Sequence, residues 1–244
     1  MSPDFLSQLN LPTSHNSILP DLKSEQISGR DLTSEITISP AEIEKVDLSK
    51  LRDFQLVLIE RENFNLDILL AKTVELNLGK SKSTVIRIDS SEHDLKKMLS
   101  EFRFENPTVL DLLVKDLSWQ TKIFGSIQDI KKTRVSVDFV LPIKYPPKTQ
   151  FEGFHVDATE SRCLCTLVGP GTEWVKEDSL VSHIRKNSSM SQKAKIIDKM
   201  DWLLPNFKIE RISTGTVAIA KANQWIHRRP WSKQGRIFVT MDPT

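Results

Sequence analysis

The hydrophobic positions in the first half of the chain alternate between the spacing of helices and that of strands. Four segments show one pattern or the other: strand-like residues 54–60 and 84–88, and helix-like residues 65–78 and 92–102. The longest regular pattern follows Asn106 and Pro107, which predict the N-cap and the first position of a helix. We therefore expect residues 49–132 to form a mixed α/β supporting region.

After Lys132 the chain changes to short segments rich in β-branched residues, in which apolar and polar positions nearly alternate. Eight segments are predicted as strands: 134–143, 151–157, 162–168, 172–175, 208–214, 216–222, 223–228 and 236–242. This many short strands predicts a sandwich or a barrel. A polar, helix-like insertion at residues 177–206 is too long for a hairpin loop, and we expect it to be a lid.

Composition limits the class of protein. The 244 residues are 39% hydrophobic and 27% charged, as in a soluble globular protein, and the net charge of +2 gives no reason to expect nucleic acid. Residues 1–48 are polar and show no lasting period, so they predict a loosely attached arm. Two cysteines, the absence of a long apolar run and the lack of a signal-peptide pattern predict a cytoplasmic protein without a membrane partner.

The tripeptide His155-Val156-Asp157 lies at the end of a predicted strand. Residues two apart on a strand share a face, so His155 and Asp157 can point at one ion. The alternative is a chance combination at an exposed strand end, because short motifs of this kind often occur without function.

Two further residues lie near the C-terminus. His227 falls in the penultimate predicted strand and is either a third ligand or a surface histidine in a basic loop. Two histidines and a carboxylate form the ligand set of non-haem Fe(II) oxygenases. Arg236 begins the last strand on the same face as Phe238 and Thr240, and its guanidinium suits an acidic co-substrate. Alternatively, Arg236 pairs with an internal acid such as Asp242 or Glu173.

The segment from residue 221 to residue 240 is basic. It contains five cations and no acid: Lys221, Arg228, Arg229, Lys233 and Arg236. These residues form either a solvated basic edge or a field that attracts an anionic co-substrate or substrate. Trp174, Trp225 and Trp231 either line the mouth of such a site or pack in the core.

The order of these residues resembles that of the Fe(II)/2-oxoglutarate-dependent dioxygenases of the cupin superfamily. In that family a double-stranded β-helix carries HxD on its second core strand, the distal histidine on the seventh and the arginine on the eighth. Counting residues 134–143 as the first strand reproduces this order. The resemblance implies an α+β fold with a jelly-roll core at residues 133–244 and N-terminal helices packed on it. It implies Fe(II) on His155, Asp157 and His227, with 2-oxoglutarate on Arg236.

A second resemblance is more specific. Residues 155–175 (HVDATESRCLCTLVGPGTEWV), the later His227-Arg228-Arg229-Pro230 segment and the terminal RIFVTMD are similar to a bacterial family catalogued as domain of unknown function 1826. That family supplies a residue pattern and no established activity.

The chain departs from the dioxygenase pattern in one respect. Many members have Ser or Thr two residues after the arginine, to contact the same carboxylate, and this chain has Phe238. We therefore assign Thr240, Arg162 and Asn223 to the co-substrate site beside Arg236. Thr166 and Tyr145, the single tyrosine, are further candidates.

These observations predict a non-haem Fe(II)- and 2-oxoglutarate-dependent oxygenase that oxidises a small or anionic molecule. Two alternatives stay open. A different metal-dependent cupin-like enzyme, such as a hydrolase or isomerase, would keep the three metal ligands and ignore 2-oxoglutarate. A non-catalytic binding module would use the basic edge to hold an anionic partner.

Overall fold

The computed structural model describes residues 35–61, 66–143, 145, 153–175 and 209–244. The predicted insertion at residues 177–206 and most of the predicted arm lie outside the described residues. Among the described residues, no helix combines the length and the apolar character needed to cross a bilayer.

Ten strands and four helices make up the described part of the chain. The strands are β1 (Glu35–Ile38), β2 (Leu56–Ile59), β3 (Ser81–Arg87), β4 (Lys132–Val140), β5 (Arg162–Val168), β6 (Glu173–Val175), β7 (Ile209–Arg211), β8 (Val217–Ala220), β9 (His227–Arg228) and β10 (Arg236–Pro243). The helices are α1 (Pro40–Ile43), α2 (Leu66–Asn77), α3 (Ser91–Leu99) and α4 (Pro107–Gln128).

The strands form two sheets. The major sheet has the order β1-β2-β8-β5-β10-β4-β3, and the minor sheet has the order β7-β6-β9. His155 extends the minor sheet on the far side of β9, because it forms an isolated antiparallel bridge with His227 of β9. From β4 onward every pairing is antiparallel, and the chain passes between the sheets in the order of a double-stranded β-helix. The predicted fold class is therefore confirmed, with β4 as the first core strand.

The two faces of the major sheet bury different sets of side chains. Ile237, Val239 and Met241 on one face of β10 belong to a core that includes α4. Phe238, on the other face, packs into a smaller core with Trp174 and Trp225. We call this second face of the major sheet the inner face, because it looks toward the minor sheet. Arg236, Thr240 and Asp242 share it with Phe238 by the alternation of a strand.

Helix α4 packs against the other face of the major sheet, which we call the outer face. Asn106 caps it by accepting a hydrogen bond from the Thr108 N–H at 2.9 Å, and Pro107 occupies its first turn, as predicted. Leu113, Leu117 and Phe124 are fully buried in the core shared with the sheet. Burying each such side chain contributes about 1.5–3 kcal/mol. The predicted packing of N-terminal helices on the β core is confirmed.

The sheet begins earlier than the sequence pattern indicates. β1 lies within residues 1–48, which were predicted as an arm, and it pairs in parallel with β2. It pairs there because Ile38 is buried in the main core and Ile36 packs against it. Ser39 and Glu42 then form a capping box at the N-terminus of α1.

Candidate metal centre

Three potential metal ligands, two from one segment and one about 70 residues later, meet at the edge of the minor sheet. Their ligand atoms all lie within 4.8 Å of one another. His155 Nε2 is 3.8 Å from Asp157 Oδ1, and His227 Nε2 is 3.4 Å from Asp157 Oδ2. Within the described ranges, no other group of three or more His, Cys, Asp or Glu side chains is close enough to share an ion. The structure thus brings together the three residues predicted as ligands.

Backbone pairing sets this convergence. His155 N–H donates to the His227 carbonyl at 2.9 Å, and His227 N–H donates to the His155 carbonyl at 3.0 Å. Directly opposed residues of an antiparallel pair place their side chains on the same face, so the two imidazoles are neighbours. The Asp157 N–H donates to the Ala222 carbonyl at 3.2 Å, which fixes the third ligand against the same segment.

Both imidazoles are held so that their Nε2 atoms are available to a cation. His155 Nδ1 lies 3.0 Å from the Gly153 carbonyl oxygen, and His227 Nδ1 lies 3.0 Å from the Trp225 carbonyl oxygen. A carbonyl only accepts hydrogen bonds, so each Nδ1 carries the proton and donates it. The lone pair is then on Nε2, which is the tautomer that a metal ligand needs.

The three ligands differ in exposure. The side chains of His155, Asp157 and His227 are 52%, 13% and 7% exposed. Burial lowers the pKa of His227 to about 4, although the nearby Asp157 opposes this shift. The Trp225 ring stacks on the His227 ring at 4.3 Å between centroids and an angle of 14°. His227 is therefore a neutral imidazole at pH 7, and the site opens to solvent on the side of His155.

Arg162 contacts one of the three candidate ligands, Asp157. Its Nη1 donates to Asp157 Oδ2 at 2.8 Å, while its Nε and Nη2 donate to the two carboxylate oxygens of Asp242 at 2.7 and 3.0 Å. We predicted Arg162 as a co-substrate ligand, and the structure instead engages its guanidinium with these two carboxylates. Sequence reasoning missed this pairing because Arg162 and Asp242 are 80 residues apart and no local pattern joins them.

Arg236 is buried without an anionic partner in the described part of the chain. The residue is 3% exposed, and its Nε and Nη1 atoms are buried with no hydrogen-bond partner. Its Cζ lies 4.1 Å from the centroid of the Phe238 ring. Burial and, to a smaller extent, the neighbouring Arg229 lower the pKa of Arg236 to about 9, while the carboxylate of Asp138 opposes the shift. The guanidinium is thus charged at neutral pH, and among the described residues no carboxylate is in ion-pair contact with it; Asp138, opposite Phe238 on β4, interacts with it only from a greater distance.

The alternative pairings proposed for Arg236 are contradicted. Asp242 is engaged by Arg162. Glu173 accepts hydrogen bonds from Arg211 and, at 2.7 Å, from Arg228 Nε.

Gly169 leaves room for Arg236, because a Cβ there would lie 2.8 Å from the Arg236 Cβ, and the φ of 84° at Gly169 also favours glycine.

The other candidate residues lie at different distances from Arg236. Thr166 is directly opposite Phe238 on β5, and its hydroxyl oxygen is buried without a partner. Thr240 lies four residues along β10 from Arg236, about 13 Å on an extended strand. Asn223 lies in the 3₁₀ segment Ala222–Gln224 and is half-buried. Tyr145 is 79% exposed, which does not favour it as an internal anchor. The roles of Thr240 and Asn223 stay predictions.

Two of the five cations in the basic segment at residues 221–240 are buried, so this segment is not simply a solvated basic edge. Arg228 is buried against Glu173 and lies over the Phe154 ring, and Arg236 is buried as described. Arg229 is exposed and donates to the Leu141 carbonyl. Trp174 and Trp225 belong to the smaller core on the inner face, so of the two alternatives for these rings, core packing is the correct one.

A double-stranded β-helix with two histidines and one carboxylate at the edge of its minor sheet defines a cupin-like protein with a candidate metal centre. The chain belongs to the family described as protein of unknown function (DUF1826), whose model matches residues 42–242. No curated protein sequence matches the chain.

Several solved structures are similar in shape. The apo structure of the Kdo hydroxylase KdoO, a non-heme Fe(II) alphaketoglutarate dependent dioxygenase, is 13% identical with a TM-score of 0.48, over 86% of this chain and 88% of that chain. Dioxygenase for auxin oxidation 1 from Arabidopsis thaliana, with 2-oxoglutarate, is 12% identical with a TM-score of 0.38, over 85% and 91%. An oxidoreductase of the 2OG-Fe(II) oxygenase family from Burkholderia pseudomallei is 13% identical with a TM-score of 0.37, over 86% and 94%. At these values, function must be judged from this chain's own side chains.

Proposed function

We propose that this protein is a non-haem Fe(II)- and 2-oxoglutarate-dependent oxygenase that acts on a small molecule. The observation that carries the proposal is the combination of two features on one β core. The potential ligand atoms of His155, Asp157 and His227 lie within 4.8 Å of one another, and Arg236 is buried beside the inner core with its Nε and Nη1 atoms unpaired among the described residues.

The donor set fits Fe(II). Two imidazole nitrogens and one carboxylate oxygen bind one face of the ion and leave positions for other ligands. Both Nε2 atoms are unprotonated because each Nδ1 donates to a backbone carbonyl. When bound, Fe(II) and 2-oxoglutarate would supply, with dioxygen, the oxidising chemistry that no side chain of the protein provides.

Arg236 would bind the distal carboxylate of 2-oxoglutarate. A planar guanidinium with free N–H groups matches a carboxylate in a bidentate manner. The buried Nε and Nη1 atoms gain the partner that they lack, and the buried hydroxyl of Thr166 offers a further donor nearby on β5. Thr240 and Asn223, which we predicted for the same carboxylate, remain part of this proposal. Phe238 and Trp225 form an apolar wall that would exclude water from the bound co-substrate.

The alternatives leave one of the two features unexplained. A cupin-like hydrolase or isomerase would use the three metal ligands but gives no reason for the buried charge of Arg236. A binding module that holds an anion would use Arg236 but gives no reason for the shared orientation of His155, Asp157 and His227. The oxygenase proposal accounts for both.

The test is an anaerobic titration of metal-free protein with Fe(II), followed by 2-oxoglutarate. We expect one Fe(II) per chain, 2-oxoglutarate binding to the loaded protein, and succinate formation once dioxygen and a substrate are supplied. Asp157→Ala should abolish Fe(II) binding while circular dichroism shows a folded protein. Asp89→Ala, at an exposed carboxylate paired with Arg87 away from the site, is the control and should bind normally.

Each of the other outcomes would favour a different function. Fe(II) or Zn(II) binding without any 2-oxoglutarate binding would favour the cupin-like hydrolase or isomerase. Anion binding without metal binding would favour the binding module. Normal Fe(II) affinity in Asp157→Ala would contradict the site itself.

A further inference from the structure

Arg162 links a proposed metal ligand to the end of the last strand. Its guanidinium contacts Asp157 through Nη1 and Asp242 through Nε and Nη2, with distances of 2.7 to 3.0 Å. The side chains of Arg162, Asp157 and Asp242 are 24%, 13% and 18% exposed. The group is therefore mostly shielded from water, which strengthens its electrostatic interactions.

The net charge of the Asp157–Arg162–Asp242 group favours a bound cation. Arg162 alone would offset the negative charge of Asp157 and would repel a divalent ion. Asp242 offsets the charge of Arg162 through two hydrogen bonds, so the Asp157–Arg162–Asp242 group keeps a formal net charge of −1. Arg162 can therefore hold the carboxylate of Asp157 without cancelling its attraction for the metal.

The contacts also set the direction of the carboxylate. Oδ2 of Asp157 accepts the Arg162 hydrogen bond, while the Asp157 backbone is tied to Ala222. Oδ1 receives no hydrogen bond from any described residue, and it lies 3.8 Å from His155 Nε2. Oδ2 thus accepts the Arg162 hydrogen bond and lies 3.4 Å from His227 Nε2, while Oδ1 is left on the side of His155.

We propose that Arg162, itself held by Asp242, is a positioning residue that orients the carboxylate of Asp157 for metal binding. This inference rests on the metal site of the proposed function and does not depend on the identity of the co-substrate or the substrate. Groups that hydrogen-bond to metal ligands commonly change metal affinity by about 10- to 100-fold when they are removed.

The experiment is an anaerobic titration of metal-free protein with Co(II), followed by visible absorption, on the full chain and four variants. Arg162→Gln and Asp242→Asn should each weaken Co(II) binding by about 10- to 100-fold and change the Co(II) spectrum. Arg162→Lys keeps the charge but not the planar fork, so it should recover only part of the affinity. Circular dichroism and thermal unfolding report whether each variant is folded.

Arg134→Gln is the matched control. Arg134 is opposite Asp242 in the register of β4 and β10, so it shares the inner face, and it is exposed. Its substitution removes the same charge near the same carboxylate without removing a hydrogen bond to Asp157. We expect its Co(II) affinity and spectrum to match those of the wild type.

The two main variants separate orientation from simple charge. If only charge mattered, Arg162→Gln would bind Co(II) more tightly and Asp242→Asn more weakly, because one loses a positive group and the other a negative group. Orientation predicts that both bind more weakly. An unchanged or tighter affinity in a folded Arg162→Gln overturns the inference and leaves the metal site intact. If Arg162→Gln does not fold, an unchanged affinity in Asp242→Asn overturns it instead. A wild-type protein that binds no Co(II) overturns the metal site and this inference together.

Discussion

Two arginines on the inner face of the major sheet differ in what surrounds them. Arg162, at the start of β5, lies between the carboxylates of Asp157 and Asp242. Arg236, at the start of β10, is more deeply buried, yet its Nε and Nη1 atoms have no partner among the described residues. Six residues of extended strand, about 20 Å, separate Arg236 from Asp242 at the other end of β10.

The contrast separates a supporting arginine from a binding one. A charged group that is buried with its counter-ions contributes little or favourably to folding, whereas one that is buried without them is costly. A fold keeps the second kind where a ligand supplies the missing charge. Under the proposed function, Arg162 would therefore support the metal site and Arg236 would bind the acidic co-substrate. Substitutions at the two positions should have different, and in part opposite, effects.

The largest effect is expected on 2-oxoglutarate binding in Arg236→Met. Loss of a bidentate, charge-assisted contact should raise the dissociation constant of 2-oxoglutarate by about 100-fold, or about 2.7 kcal/mol. Calorimetric titration of the Co(II)-loaded protein measures it, and the Co(II) affinity of the variant should stay close to that of the wild type. Arg229→Met, at the exposed neighbouring cation, is the control and should change 2-oxoglutarate binding little. Equal loss of metal and co-substrate affinity would mean that Arg236 has a structural role.

The next effect is on stability in Arg162→Met. This variant leaves Asp157 and Asp242 as two poorly solvated carboxylates without their shared cation. Breaking a buried pair costs about 3–5 kcal/mol, and the partial exposure of the group reduces our expectation to about 2 kcal/mol. Urea unfolding monitored by circular dichroism gives the free energy of unfolding. A variant as stable as the wild type would show that solvent already screens the pair.

Local signals explain which parts of the fold could be predicted from the sequence. The N-cap Asn106 and the following Pro107 lie next to each other, so the start of α4 could be read directly. β1 could not, because its four residues carry no period of their own and are stabilised by pairing with β2. The segment at 223–228 was predicted as a strand, but only His227–Arg228 forms one, after the 3₁₀ segment Ala222–Gln224.

The candidate site also has one part that could be predicted from the sequence and one part that could not. The meeting of His155, Asp157 and His227 follows from spacing two apart on one segment and from strand order, both of which the sequence shows. Their role as metal ligands stays a proposal. The position of Arg162 depends on the register of β5 and β10, in which Cys163 is opposite Met241. No feature of the sequence fixes that register, so the pairing of Arg162 with Asp242 required the structure.

A third effect concerns the stability of the unliganded protein in Arg236→Met. Removing a buried charge with unpaired N–H groups should raise the free energy of unfolding by about 1 kcal/mol, after allowance for the lost contact with Phe238. Because burial lowers the pKa of Arg236 to about 9 from 12.5, the cost of the charge is fully present below pH 9 and declines as the pH rises above it. The gain should therefore be the same at pH 7 and pH 8 in urea unfolding. A loss of stability would contradict the comparison of the two arginines.

The smallest effect is expected at Thr166, whose buried hydroxyl has no partner and lies opposite Phe238. Thr166→Val keeps the shape of the side chain and removes only the donor. A hydrogen bond to a free carboxylate would contribute about 1.5–3 kcal/mol, but Arg236 already neutralises this one, so we expect the contribution of a neutral hydrogen bond, about 0.5–1.5 kcal/mol, and a loss of about threefold in 2-oxoglutarate affinity. Thr166→Ser keeps the hydroxyl and should bind 2-oxoglutarate like the wild type. In the absence of ligand, Thr166→Val should be at least as stable as the wild type, because it buries no unpaired polar atom. If the valine variant binds 2-oxoglutarate normally, the carboxylate is held by Arg236 without help from β5, and Thr240 or Asn223 becomes the next residue to test.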